Sequence, residues 1–320
     1  MKNTMLAYSI GALLYCPANN VSIVNSLVNE NFGCQFSLAL CLEDTIRDDQ
    51  VNEAEQLLAI SLHKLLNESE TKQFYMPKIF IRVREPEQIS RLVNNFGDAI
   101  SIIVGFIIPK FSLENADNYI NAILDINDKL VSPLYMMPIF ESPTIINLNT
   151  RYDILYQLKQ KLDAIQDIVL NIRVGGNDLC HTFGFRRHCS ENIHDILPIA
   201  NILSDIMTVF GTDYIVSGPV WEYYNGNGWE TGLEKELNSD RLNGFIGKTV
   251  IHPKQIDIVN KSLTVSSVDY EDAVLIINWD NNITKLVSGS SSNERMNEYK
   301  THYNWAKKII VLSQIYGILD

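Results

Sequence analysis

No stretch of this sequence stays apolar long enough to span a membrane, for which a helix needs about twenty such residues. The longest run, AISIIVGFIIP at 99–109, is short and rich in β-branched residues, and reads as a buried strand. Cysteine is scarce. Cys16, Cys34, Cys41, Cys180 and Cys189 form no even, regularly spaced framework, so reduced thiols and a cytoplasmic setting are expected rather than disulfides. Positive charge is also in deficit: 26 Lys and Arg against 38 Asp and Glu give a net charge of −12. That balance works against broad attraction to nucleic acid or an anionic membrane, although local basic spots can still hold small anions. The opening MKNTMLAYSIGALLYCPAN is a poor export signal, with one early lysine, Ser9 inside the apolar stretch, and Tyr15 where cleavage needs a small residue. It reads instead as a first strand.

With 46% hydrophobic and 20% charged residues among 320, the chain has the composition of a soluble globular protein and the length of one barrel plus an appendage, or of two ordinary domains. Eight short apolar runs read as strands: 12–16, 37–42, 78–83, 101–107, 134–140, 167–174, 213–217 and 245–251. Most are apolar at successive positions, as in strands of a parallel sheet covered on both faces. Between them lie helical patterns such as VNEAEQLLAISLHKLL and ADNYINAILDINDKL, each long enough for a right-handed crossover. Eight such units predict an α/β fold, a (β/α)8 or TIM barrel over residues 1–262, with a doubly wound sheet as the competing architecture. Residues 263–320 read as a C-terminal helical appendage without strands: a helix at 268–282, a flexible link LVSGSSSNER serving as hinge, and a longer amphipathic helix at 297–319.

Barrel chemistry sits where strands end and the following loops converge. Applying that rule places Glu43 and Asp44 after strand two, Arg82 and Arg84 at the end of strand three and Lys110 after strand four. Glu141 follows strand five, Asp178 strand six, Glu222 strand seven and His252 strand eight. Strand one delivers only CPANN. Carboxylates without a histidine cluster suit a hard cation such as Mg²⁺, and arginines on the same rim suit an anionic substrate. The dense stretch GGNDLCHTFGFRRHCSENIHD at 175–195 has zinc-type residues, but its adjacent Cys180-His181 and His188-Cys189 pairs point apart. It reads as a loop over the mouth, in which Arg186 and Arg187 grip a phosphate or second carboxylate or are simply solvated. His252 is either a base or a support. Trp221, Tyr223, Tyr224 and Trp229 stack on a flat ring, pack beneath a turn, or form a subunit interface.

Several segments resemble the HpcH/HpaI aldolase and citrate lyase beta-subunit family, and specifically its divergent branch called the C-C bond lyase of the TIM-barrel fold. The segments are LALCLEDTIRDDQVNEAEQLL (38–58), IFIRVRE (79–85), GFIIPK (105–110), MMPIFESP (136–143), RVGGNDL (173–179) and GFIGKTVIHPKQI (244–256), in the family's order. The resemblance implies a Mg²⁺-dependent carbon-carbon lyase, or its synthetic reverse, acting on a carboxylate or an acyl thioester of coenzyme A through a stabilised enolate. It makes Glu141 and Asp178 the metal ligands, Arg82 the clamp on the substrate carboxylate, and Glu43 and Asp44 the acidic pair facing the metal's waters. Lys110 would lie near the ligand's anionic end. It also implies a homo-oligomer, trimer or higher, in which Glu298 of the arm is the loosely matched catalytic acid. The sequence departs from the pattern at Asn177, where an acid is usual, and at Arg84, where the family has Asn and a second cation suggests a more anionic substrate. Two other readings stay open: a binding or regulatory homologue that keeps the pocket without turnover, and a barrel enzyme for a phosphorylated or nucleotide-linked ligand.

Overall fold

A computed structural model describes residues 4–279 and 285–319. Eight parallel strands run in sequence around a ring: β1 (Ala12–Pro17), β2 (Ser37–Cys41), β3 (Lys78–Arg82), β4 (Ile103–Ile108), β5 (Tyr135–Phe140), β6 (Ile172–Val174), β7 (Val216–Ser217) and β8 (Lys248–Val250). β8 pairs with β1, and the Ile246 N–H donates to Val216 O at 2.9 Å while the Gly218 N–H donates to Gly247 O at 3.0 Å. These bonds join β7 to β8 and close the barrel, which a doubly wound sheet never does. β6, β7 and β8 are shorter than their apolar runs. The run at 167–174 pairs first at an isolated bridge between Val169 and Met136 and only then enters the regular ladder.

The period-two alternation of a strand separates two cores. Leu14, Leu38, Leu40, Ile79, Ile81, Phe106 and Phe140 face outward into a continuous layer under the surrounding helices. Leu13, Ala39, Phe80, Ile107, Met137 and Leu170 fill the barrel, and Ala7 and Ile10 join that inner cluster from the N-terminal segment, whose first helix (Thr4–Tyr8) was not foreseen. Among the described residues no helix is long and apolar enough to cross a membrane.

The C-terminal arm corrects the expectation of a strandless appendage with a flexible link. Helices Ser267–Ile277 and Tyr299–Tyr316 pack together, but β9 (Val265–Ser266) pairs with β12 (Ile318–Leu319), and β10 (Val287–Gly289) with β11 (Met296–Glu298). The Ser/Gly segment is thus a hairpin. Arg295 ties it down through Asp269 at 2.6 Å and Asp272 at 2.7 Å, and the Asn297 amide donates to Asp272 at 2.9 Å. The far end of the helix expected at 268–282 includes 280–282, which lie outside the described residues.

Charges buried beside β7 and β8 lock the outer layer. The fully buried Lys248 ammonium lies 3.0 Å from Glu236 and 2.6 Å from Asp240. Glu236 also receives Arg187 and the Ile193 N–H, and Asp240 pairs with His194 at 2.8 Å. Removing one member of such a network leaves the rest buried and uncompensated. Lys248→Met should therefore lower the free energy of unfolding by about 3 kcal/mol, read by chemical denaturation; a loss within error of zero contradicts this.

Candidate active site

Four strand ends, those of β2 to β5, converge around one guanidinium. Arg82, the last residue of β3, is 7% exposed, and its Nη2 lies 2.8 Å from Glu43 Oε2, 3.0 Å from Asp44 Oδ2 and 3.4 Å from Glu141 Oε1. Glu43 and Asp44 follow β2, and Glu141 follows β5. Lys110, after β4, closes the cluster from the loop side. Its backbone, held at φ +50, turns the N–H onto Glu141 Oε1 at 3.0 Å, while Nζ reaches Glu43 Oε1 at 2.6 Å. The left-handed φ is uncommon for a side chain of this size.

Burial sets the ionisation of this cluster. It pushes the Glu43 carboxyl up, against the pull of Arg82. Glu141 is pushed up to about 8, by burial first and then by the nearby charges of Asp178 and Glu43, with Arg82 and the Lys110 N–H opposing. Burial acts the same way on Asp44, yet its bond with Glu43 and the charges of Arg82 and Lys110 hold it below the usual carboxylate range.

Asp178 comes from the turn after β6, in the first turn of the helix Gly176–Phe183. That turn passes so close to Glu141 that a β-carbon on Gly175 would lie 2.0 Å from Glu141 Oε2. Only glycine allows the approach. Asp178, Asn177, Glu141, Arg82 and Asp44 all line a cavity of about 430 Å³ at the barrel mouth, whose opposite wall carries Arg186, Val220 and Glu222. Glu141 Oε1 is taken by Arg82 and Lys110, and no protein group among the described residues donates to Oε2.

Three polar residues on strands escaped the sequence reading of the cavity: Tyr15 from β1, Arg173 from β6 and Thr249 from β8. Arg173 is 2% exposed, with Nη2 donating to Thr249 Oγ1 at 2.6 Å and no hydrogen-bond partner for Nε or Nη1 among the described residues. Arg82 Nε and Asn171 Nδ2 are likewise buried without an acceptor. The polar alternation Asn171, Arg173 within the apolar DIVLNIRV was the available signal. It marks the strand face that looks into the barrel.

Two expected ligand arginines are corrected. Arg84 turns away from the cavity and grips the loop after β2, with Nε donating to Leu42 O at 2.6 Å, Nη2 to Glu43 O at 3.1 Å and to Ile46 O, and Nη1 lying 2.6 Å from Asp48. It positions Glu43 and Asp44 and spends four of its five N–H donors on the protein. Arg187 is 3% exposed, bonded to Glu236 and to Val220 O at 2.7 Å, and lies 5.4 Å over the Trp221 ring. Arg186, its neighbour, is exposed at the rim, 3.6 Å from Glu222.

The other candidates make their contacts away from the cavity of their own barrel. Trp221 and Trp229 are buried in the outer core, and the Gln255 amide donates to Trp221 O and Tyr223 O. The Tyr224 ring stacks on His252 at 4.5 Å, and His252 Nδ1 accepts from the Lys254 N–H, so His252 braces the loop at 217–232. Cys180 is a buried core residue. Glu298 accepts from Thr301 within the arm and does not line the mouth of its own barrel.

Residues 4–318 match the model of a family described as C-C bond lyase of the TIM-barrel fold. Solved structures similar to the chain include CitE from Mycobacterium tuberculosis in complex with magnesium, acetoacetate and coenzyme A, at 16% identity and a TM-score of 0.62, covering 96% of this chain and 99% of that one. A citrate lyase from Burkholderia xenovorans LB400 aligns with a TM-score of 0.72 at 13% identity, covering 97% and 93%. RipC from Yersinia pestis aligns at 0.54 and 16%, covering 82% and 98%. At these identities the likeness is one of fold. No curated protein matches the sequence significantly.

Arg82 neutralises three crowded acids, so Arg82→Met should be most costly where those acids are ionised. The expected loss is about 3 kcal/mol at pH 8. It should shrink toward pH 5, where carboxyls already pushed upward take up protons and their repulsion disappears. Urea denaturation at both pH values measures it; an equal loss at both contradicts the clustering.

Proposed function

Because the chain belongs to the C-C bond lyase family of the TIM-barrel fold, we propose that it makes or breaks a carbon-carbon bond beside the carbonyl of an anionic oxo or hydroxy acid, with a divalent cation in the barrel mouth. The observation that carries this reading is the pairing of Glu141 and Asp178 in a cavity whose deeper polar groups are arginine donors.

The residues fit a hard cation. Among the described residues no three His, Cys, Asp or Glu side chains form a ready-made metal cluster. Mg²⁺ does not need one, since it commonly takes one or two carboxylates and completes its octahedron with water and ligand oxygens. Glu141 Oε2 has no donor among the described residues, Asp178 lines the same cavity, and a cation held by the two would offset the burial and the Asp178 charge that raise Glu141. Bound there, Mg²⁺ would polarise the ligand's carbonyl and ease the build-up of enolate charge.

The chain's own groups supply the rest. Arg82 and Arg173 offer donors to a carboxylate, and a planar guanidinium suits that geometry. Arg173 has no carboxylate partner among the described residues, so an anionic ligand removes the cost of burying it. Glu43 and Asp44 hold Arg82 in place, Lys110 fixes Glu141, and Glu222 at the rim is the carboxylate placed to accept a proton. A coenzyme A or other thioester carrier would extend past Arg186. The reading includes a homo-oligomer, since Glu298 reaches a mouth only if that mouth belongs to another copy.

Calorimetric titration with Mg²⁺ tests the metal site. A carboxyl titrating at about 8 must lose its proton to bind, so affinity should tighten about twentyfold from pH 6.5 to 8.5. Glu141→Gln and Asp178→Asn should each abolish binding. Glu222→Gln should leave it intact while lowering turnover at least tenfold, roughly the smallest contribution expected of a general base. Binding indifferent to pH and to both metal-site substitutions overturns the assignment.

A further inference from the structure

A second cavity, of about 480 Å³, lies between the barrel and the C-terminal arm, away from the mouth. Its walls are Phe245, Ile246, Val265, Ile309 and Leu312, so a ligand there gains by burying apolar surface. Four charged side chains also reach it: Asp240, Asp269, Arg241 and Lys308. The two acids are already satisfied, Asp240 by Lys248 and His194 and Asp269 by Arg295. Neither cation has a hydrogen-bond or ion-pair partner among the described residues. A chain with twelve more negative than positive charges has placed two cations without a protein partner among the described residues on one largely apolar cavity, Lys308 half-buried and Arg241 exposed at its edge. Burial and the neighbouring Arg241 push the Lys308 amine below its usual range, which an anion beside it would reverse.

We propose that this cavity is a second ligand site, for a small amphipathic carboxylate whose head is held by Lys308 and Arg241 and whose chain lies against Phe245, Ile309 and Leu312. The cavity size suits this class, being within the range of small-molecule pockets. A neutral alkyl chain would leave the cations unpaired, and an alkylamine would add a third. The ligand bridges two bodies of the fold, because Arg241 and Phe245 belong to the barrel and Lys308 to the helix Tyr299–Tyr316. Its binding therefore clamps the arm to the barrel. The site stands independently of the chemistry proposed for the mouth.

Octanoate, octylamine and octanol, titrated by calorimetry and followed by thermal unfolding, provide the test. Octanoate should bind and raise Tm, while the amine and alcohol bind at least tenfold more weakly. Lys308→Met and Arg241→Gln should each weaken octanoate at least tenfold, Lys308→Arg should retain it, and Asp178→Asn at the mouth should leave it unchanged. Circular dichroism melts of each variant separate lost binding from lost folding. Absence of octanoate binding to the unmodified protein overturns the proposal. So does equal binding of the alcohol, or loss on Asp178→Asn in place of the two cation substitutions.

Discussion

The arrangement at the mouth depends on one buried cation. Arg82 sits at the end of β3 with three carboxylates around a single nitrogen, and each of those acids arrives from a loop that something else must hold. Arg84 holds the loop bearing Glu43 and Asp44 by its carbonyls, the strained Lys110 backbone holds Glu141, and Gly175 lets the next turn close over Glu141. Burying so many ionisable groups is costly unless they are mutually compensated. The compensation is incomplete on both sides, and that incompleteness is what equips the site. Glu141 keeps an oxygen open toward Asp178, and Arg173 keeps two donors without an acceptor.

The same physics recurs outside the barrel with the opposite outcome. Lys248, Arg187, Glu236 and Asp240 are as buried as the mouth residues, but their charges are paired within the chain. That network is a lock, and through Arg187, which donates to Val220 O, it fixes the two loops that carry Arg186 and Val220 to the cavity. Between barrel and arm, Lys308 and Arg241 are left uncompensated, as Arg173 is at the mouth. A cation without a protein partner, fully buried at Arg173 and half-buried at Lys308, thus marks both regions for which a ligand is proposed, whereas the paired network only holds the fold.

Much of the fold was legible because its signals are local. Runs such as KIFIRV and SIIVGFI carry strand preference in themselves, and the residue that follows each run marks the mouth. Glu43, Glu141 and Asp178 were found that way. Arg173 was not, because an inward-facing arginine within a strand is recognisable only once the ring is closed. Arg84 and Arg187 were misjudged for a related reason: a sequence shows a cation but not the carbonyls that will occupy it. Arg186 and Arg187 are adjacent and indistinguishable in the chain, yet one is at the rim and the other is in the core. The strands of the arm, two or three residues each, are too short for any periodicity to register, and the β10–β11 hairpin is held by Arg295 and Asn297 converging on Asp272.

The central claim is that Glu141 and Asp178 assemble a cation site able to stabilise negative charge beside a carbonyl. Proton NMR of pyruvate in D₂O tests it without knowledge of the natural substrate, because enolate formation exchanges the methyl protons for deuterium. The account predicts exchange above the buffer rate that requires Mg²⁺ and is lost in Glu141→Gln and Asp178→Asn. Absence of exchange, or exchange indifferent to the cation and to both substitutions, would contradict it.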